Sequence, residues 1–271
     1  MEESRETGDA DQGGRRDEQQ WDHPGESVII RISIAAAKIP LGERAVQGAY
    51  GGTMSSCCSS FFAANQRQFS DAVARRDLTR YRRRGPDQTT RLLRDAILGA
   101  GQGRTVLDVG AGIGALSFEL LAAGAERVTA VEAAPAYVAA AREEAARRNV
   151  SDRLDLVHGD FVSVVEDVMP ADVVTMDRVV CCYPAYQPLL EAALRRSRRL
   201  LAFSYPHDRW FVRAAVRMQN LGRALWRNPF RGFVHSARGM EALLGQHGFV
   251  RRQRRETLKW SADLYVRADP V

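Results

Sequence analysis

Lysine is almost missing from this sequence. It stands only at 38 and 259, so arginine supplies nearly all of the 39 basic residues. Those arginines are scattered along the chain rather than gathered into one run. That argues against a dedicated nucleic-acid patch and leaves nucleic acid an unlikely partner. Cysteine is scarce too: the four residues form two adjacent pairs, Cys57-Cys58 and Cys181-Cys182. Secreted disulfide frameworks space their cysteines differently, and no secretory signal is visible, so the chain reads as cytoplasmic with reduced thiols. Structural zinc sites favour pairs separated by two residues, and adjacent cysteines do not easily face one ion, so no metal is expected. The two pairs are read instead as thiols flanking a common mouth. Long apolar runs are also lacking; none approaches the roughly 20 residues of a membrane helix.

With 271 residues, the chain is long enough for one large α/β domain with extensions. Its charge is uneven. Residues 1–53 hold 6 basic and 10 acidic residues, although the whole chain carries a formal charge of +6. Residues 1–53 read as a disordered extension, and Met54 as the natural start. Residues 54–103 read as a helical cap, with one helix from Phe61 to Arg84 and a second over 87–99. Gly85-Pro86-Asp87 stops the first and caps the second.

The chain is organised around residues 104–114. Val106, Leu107 and Val109 read as a short buried strand. Gly110, Gly112 and Gly114 make a turn without side chains, and Leu116, Phe118, Leu120 and Leu121 open a helix. Such a turn lets a ligand lie against the backbone at a helix N-terminus. A dinucleotide fold wants G-x-G-x-x-G, whereas the spacing here is G-x-G-x-G. Asp108, two residues ahead of the first glycine, would repel a pyrophosphate and suit an ammonium group.

Strands follow at 127–132, 154–158, 171–177 and 199–204. Alternation with helices predicts a parallel sheet covered on both faces, with ligands bound beyond the carboxyl ends of the strands. A helix from Trp210 to Trp226 forms an insertion over 208–230, either lining the pocket or covering the core. A further helix is expected over 236–246. The tail from Glu256 to Val266 reads as two strands split near Ser261.

Val106-Leu107-Asp108-Val109-Gly110-Ala111-Gly112-Ile113-Gly114 resembles the first motif of the Rossmann-like (class I) S-adenosylmethionine-dependent methyltransferases. The resemblance extends over roughly residues 57 to 267. It implies an α/β, mostly parallel seven-stranded sheet with an antiparallel closing strand, and residues 104–271 as the cofactor-binding methyltransferase domain. It implies S-adenosyl-L-methionine as cofactor. Asp108 would then hold the cofactor ammonium, while Gly110, Ala111 and Gly112 allow close approach. Glu132, with Ala133 after it, would accept the ribose hydroxyls. Asp160 would meet the adenine amino group, with Phe161 packed by the ring. Asp177 and Arg178 would lie beside the methionine part. The N-terminal helices either close over the cofactor, with Tyr81 and Arg83 nearest its carboxylate, or cover a sheet edge.

A base is less clearly marked. His207, Asp208 and His235 fall in loops expected to face the pocket mouth, and each is a candidate. His158, inside a strand, reads as structural; Tyr183 would shape the pocket or stack on a substrate. The expected activity is methyl transfer to a small molecule. Alternatives are a nucleic-acid or protein methyltransferase, a non-catalytic cofactor-binding protein and, least, a nicotinamide oxidoreductase. The loop Asp177-Arg178-Val179-Val180-Cys181-Cys182-Tyr183-Pro184 lacks the Asn/Asp-Pro-Pro-aromatic pattern of enzymes that methylate base amino groups.

Overall fold

The computed structural model describes residues 64–65, 67–101 and 103–268. The expectations for residues 1–53, Met54, the Cys57-Cys58 pair, Phe61 and Phe62 lie outside them. Residues 64–65 and 67–68 are helical but Phe69 and Ser70 interrupt the run, so the one helix expected from Phe61 to Arg84 is not continuous; helices α1 (Asp71–Arg84) and α2 (Gln88–Gly99) follow. Asp87 caps α2, accepting the Thr90 N–H at 3.1 Å, as the Gly-Pro-Asp stop predicts. Strand β1 (Thr105–Val109), helix α3 (Ala115–Ala122), β2 (Arg127–Glu132) and α4 (Pro135–Arg147) make the first crossover units. β3 (Leu154–His158), the single turn α5 (Phe161–Val164), β4 (Ala171–Met176), α6 (Gln187–Arg196) and β5 (Ser197–Pro206) follow. The chain closes with α7 (Trp210–Leu225), α8 (Ala237–Gln246), β6 (Phe249–Glu256) and β7 (Trp260–Arg267).

The seven strands lie in the order β3-β2-β1-β4-β5-β7-β6. β1 to β5 are mutually parallel, and β7 runs antiparallel to both β5 and β6. The order reverses at β1 and β4, which places the topological switch point between their carboxyl ends. Side chains alternate across the sheet. Val106, Val128, Val173 and Leu200 point to one face, where α1 to α4 pack through Leu78, Ile97, Leu116 and Ala140. Leu107, Val131, Val174 and Leu201 point to the other, met by Phe161, Leu189, Leu190 and Leu244. Burial on both faces explains why the central strands read as continuous apolar runs.

Three further expectations for the secondary structure need correction. The last two strands start at Phe249 and Trp260 and turn at 257–259, not near Ser261. β6 is an edge strand rich in arginine, a composition that protects an open edge and hides the strand. Helix α6 went unread between β4 and β5, and β5 begins at Ser197 because Ser197 pairs with Ala171. The insertion helix α7 neither lines the cleft nor covers the core; Val212 is its one buried residue.

Candidate active-site cleft

The carboxyl ends of β1, β2 and β4 carry acids that no surface position would need to bury. Asp108 is 1% exposed and Glu132 8%. Both stand over a cleft of about 310 Å³, within the range of ligand pockets, which run from roughly 300 Å³ upward. Gly110, Ala111, Gly112, Ala133, Phe161, Asp177, Arg178 and Tyr81 line it as well. The structure therefore brings ten of the eleven expected cofactor-contact residues to one concavity.

Asp108 accepts hydrogen bonds from Ser117 Oγ at 2.6 Å and Thr175 Oγ1 at 2.7 Å. Burial pushes its carboxyl up to about 6. The two hydroxyl bonds oppose that rise; the charges of Asp177 and Glu132 add to it. Glu132 accepts the Gly112 N–H and the Ala134 N–H, each at 2.8 Å. Burial raises its carboxyl too, against those backbone bonds. Two buried acids held this way favour donors and cations and oppose a pyrophosphate. A Cβ on Gly112, at φ +58°, would meet nothing within 4 Å, so the missing side chain leaves open cleft. A Cβ on Gly110 would lie 2.6 Å from Val179, so there the glycine serves close packing.

The third acid binds differently. Asp177 accepts the hydroxyls of Thr90 and Ser204, both at 2.6 Å, and Arg178 Nη2 at 3.3 Å. Arg178 also pairs with Asp87 and holds a left-handed backbone at φ +62°, rare for a residue with a side chain. Burial raises the Asp87 carboxyl, but Arg178 and the Thr89 and Thr90 bonds outweigh it and hold the group below its usual range. These contacts tie the α1–α2 turn to the tip of β4; α1 and α2 do not cover an edge of the sheet. They pack against the sheet face and wall the cleft.

Five expected site residues are not among those that line the cleft. His207 is buried under the β6–β7 turn, with Nε2 at 2.9 Å from the Thr257 carbonyl and Nδ1 at 3.0 Å from Ser261 Oγ. It is not among the cleft-lining residues. Neither is His235, whose Nε2 meets the carbonyls of Tyr183 at 2.9 Å and Val180 at 3.2 Å; burial lowers its pKa. Asp208, the third candidate, is exposed and pairs with Arg213. Asp160, between the lining residues Gly159 and Phe161, caps α5 through the Ser163 N–H and accepts the Tyr183 hydroxyl at 2.5 Å. It is Tyr183 that lines the cleft. Tyr81 presents its ring, but its hydroxyl is turned to Glu119 at 3.1 Å. Arg83 is exposed and outside the cleft lining, while Arg80, one helical turn earlier, lines the cleft. His158 sits at a strand end with Nε2 at 3.2 Å from the Ala133 carbonyl.

Several cleft residues carried no signal in the sequence. Asp77 accepts the Tyr137 hydroxyl at 2.6 Å and joins α1 to α4 at the rim. Asn65, 7% exposed, lines the cleft with a side-chain carbonyl that has no hydrogen-bond partner. Phe69 packs on Tyr137 and Phe230, ring centroids 5.5 Å apart in both pairs. Cys181 and Cys182 are free thiols, both pointing at the Arg178 carbonyl, and Cys182 lines the cleft. Among the described residues no cluster suited to a metal ion occurs.

Comparison with known proteins agrees with this geometry. A family model described as a methyltransferase domain matches residues 106–203. A probable ribosomal RNA small subunit methyltransferase A of Haloarcula marismortui is 52% identical over 59 residues, 22% of this chain and 20% of that protein. A ribosomal protein L11 methyltransferase of Alteromonas mediterranea is 39% identical over 74 residues, 27% of this chain and 25% of that one. The chain thus spans about a quarter or less of these relatives' length. In fold it is similar to magnesium protoporphyrin IX methyltransferase from Synechocystis PCC 6803 with bound SAH. The TM-score is 0.57 at 17% identity, over 81% of this chain and 90% of that one.

Proposed function

We propose that this chain is a Rossmann-like (class I) S-adenosylmethionine-dependent methyltransferase that transfers a methyl group from S-adenosyl-L-methionine to a small-molecule acceptor. One observation carries the reading. Two buried carboxylates, Asp108 and Glu132, flank the bare face of Gly112 at adjacent strand tips. The residues present fit that cofactor. Glu132 would take the ribose hydroxyls, its oxygens being already aligned by two backbone N–H groups. Asp108, raised by burial, would be relieved by an ammonium group. Phe161 would pack beside the adenine, Ala111 and Ala133 leave room, and Arg178, held by Asp87 and Asp177, and Arg80, 3.6 Å from Asp77, would meet the carboxylate. The orphan Asn65 carbonyl asks for a donor from cofactor or acceptor.

The cofactor brings an activated methyl group with its leaving group built in. What remains for the protein is to hold the acceptor in line and exclude water. Phe69, backed by Phe230, and Tyr183 offer apolar surface for that purpose. With both histidines placed elsewhere, alignment rather than a histidine base is the chemistry this cleft supplies. Short matches to enzymes acting on ribosomal RNA and a ribosomal protein favour, as the second reading, a macromolecular acceptor. The lack of the Asn/Asp-Pro-Pro-aromatic loop weighs against base amino groups.

A melting-shift panel tests the cofactor, because a ligand of the folded state raises the melting temperature. S-adenosylmethionine and S-adenosylhomocysteine should raise it and nicotinamide dinucleotides should not; the reverse pattern would overturn the reading. Labelled methyl donor incubated with cell extract then tests the acceptor. Label in the small-molecule fraction is expected, and label in RNA or protein would favour the second reading.

A further inference from the structure

Large apolar side chains left in water are concentrated on one short segment. Trp210 is 80% exposed, Met218 66%, Leu221 54%, Leu225 76% and Trp226 83%. Trp210, Ala214, Met218, Leu221 and Leu225 recur at helical spacing, so they form one outward stripe along α7. The opposite face is used: Asn220 bonds both ways with the Gly232 backbone, at 2.8 and 2.9 Å, and Arg223 lies over the Phe230 ring at 5.1 Å. Phe230 in turn packs on Phe69 in the cleft wall. The helix is thus anchored beside the cleft with its apolar side turned away from the protein.

Along the helix itself the charge has one sign; the acids nearby, Asp208 and Glu256, are paired with Arg213 and Arg209. From Trp210 to Arg227 there is no Asp or Glu, and there are four arginines. Arg213 is paired with Asp208, while Arg217 and Arg227 have no acidic partner among the described residues. The β6–β7 turn adds to this end of the helix, since the His207 N–H bonds the Lys259 carbonyl at 3.0 Å. That turn exposes Leu258 at 72% beside Lys259. Tryptophan and leucine on an exposed helix, flanked by cations and free of acids, is the chemistry of an anionic bilayer surface. A second copy fits less well, because a two-fold pairing would bring two helices that carry arginines and no acids into one interface. RNA would match the arginines but gives no use for Met218, Leu221 and Leu225. No described helix is long and apolar enough to cross a membrane, so the contact would be interfacial.

We propose that the outward face of α7, with the 257–259 turn, docks the protein on anionic lipid surfaces beside its cleft. The docking does not depend on methyl transfer and is read without cofactor. The test is co-sedimentation of the full chain with phosphatidylcholine vesicles, with and without phosphatidylglycerol. Brominated lipids supply a second readout by quenching tryptophan fluorescence. Binding should be at least about tenfold tighter to the anionic vesicles and weaken with salt. The Leu221→Asp/Leu225→Asp variant should lose it with its melting temperature unchanged, since both positions are exposed. The Trp210→Phe/Trp226→Phe variant should lose most of the quenching. The proposal is overturned if the full chain ignores both vesicles, binds them equally, or binds equally after the Asp substitutions. It is also overturned if RNA rather than lipid is retained, or if the Asp variant turns a dimer into a monomer without any lipid effect.

Discussion

The Gly112 N–H points at Glu132 Oε2 across 2.8 Å, joining the glycine turn after β1 to the tip of β2. This bond sets the shape of the turn and aims the carboxylate at once, and the second Glu132 oxygen is fixed by the Ala134 N–H. Glu132→Gln keeps the size but exchanges one acceptor oxygen for a donor that faces an N–H. It is expected to weaken S-adenosylhomocysteine binding by roughly tenfold to a hundredfold, from the worth of one or two charge-assisted hydrogen bonds. Isothermal titration of wild type and variant checks it.

The Asp108 carboxyl, raised by burial to about 6, stands above the roughly 3.9 of an unfolded chain. Between those values the folded protein holds a proton that the unfolded chain has released. Stability from this group is therefore highest below the window and falls as pH rises through it. By pH 7 the ionised, ligand-free form carries a penalty of about 3 kcal/mol. Asp108→Asn should melt above wild type at pH 7, with the gap closing towards pH 4, while losing affinity for the ammonium-bearing ligand. Melting curves of both proteins across that range are the check. Parallel pH profiles would show that Asp108 is not the titrating group.

Two glycines of one turn should fail in different ways. Gly112→Ala puts a methyl group into open cleft at a positive φ. A modest loss of stability, about 1–2 kcal/mol, is expected together with a large loss of ligand affinity. Gly110→Ala drives a methyl group to 2.6 Å from Val179. The larger stability loss belongs there. Chemical denaturation and ligand titration of each variant separate the two effects.

His207 acts as a buried clasp between the end of β5 and the β6–β7 turn. His207→Ala leaves the Ser261 hydroxyl and Thr257 carbonyl without that partner. A loss of about 1–3 kcal/mol is expected. The pH dependence of turnover should stay that of wild type, measured below the variant's melting temperature. A profile that loses a limb near neutral pH would restore His207 as a base.

Local signals carried much of this far. The apolar strand, three glycines and following helix around Asp108 are contiguous, and β2 and β3 have the expected bounds because turn residues delimit both. Cleft acids at strand ends follow from strand ends correctly placed. What stayed hidden rests on contacts distant along the chain. Thr175 is 67 residues from the Asp108 it bonds, and Thr257 is 50 from His207. A loop histidine near the expected mouth was therefore indistinguishable from one folded under a hairpin. Asp160 has the expected place in the sequence, yet its carboxylate accepts the hydroxyl of Tyr183, 23 residues on, and it is Tyr183 that lines the cleft. Helix α6 has Pro188 in its first turn, where proline is tolerated but reads as a break.

The most direct test is a crystal structure of the full chain with S-adenosylhomocysteine. The account predicts ribose hydroxyls within hydrogen-bond reach of Glu132, the ammonium group on the Asp108 side of Gly112, and the adenine beside Phe161. Ligand bound elsewhere, or a cleft in which Glu132 and Asp108 contact no part of it, would contradict it.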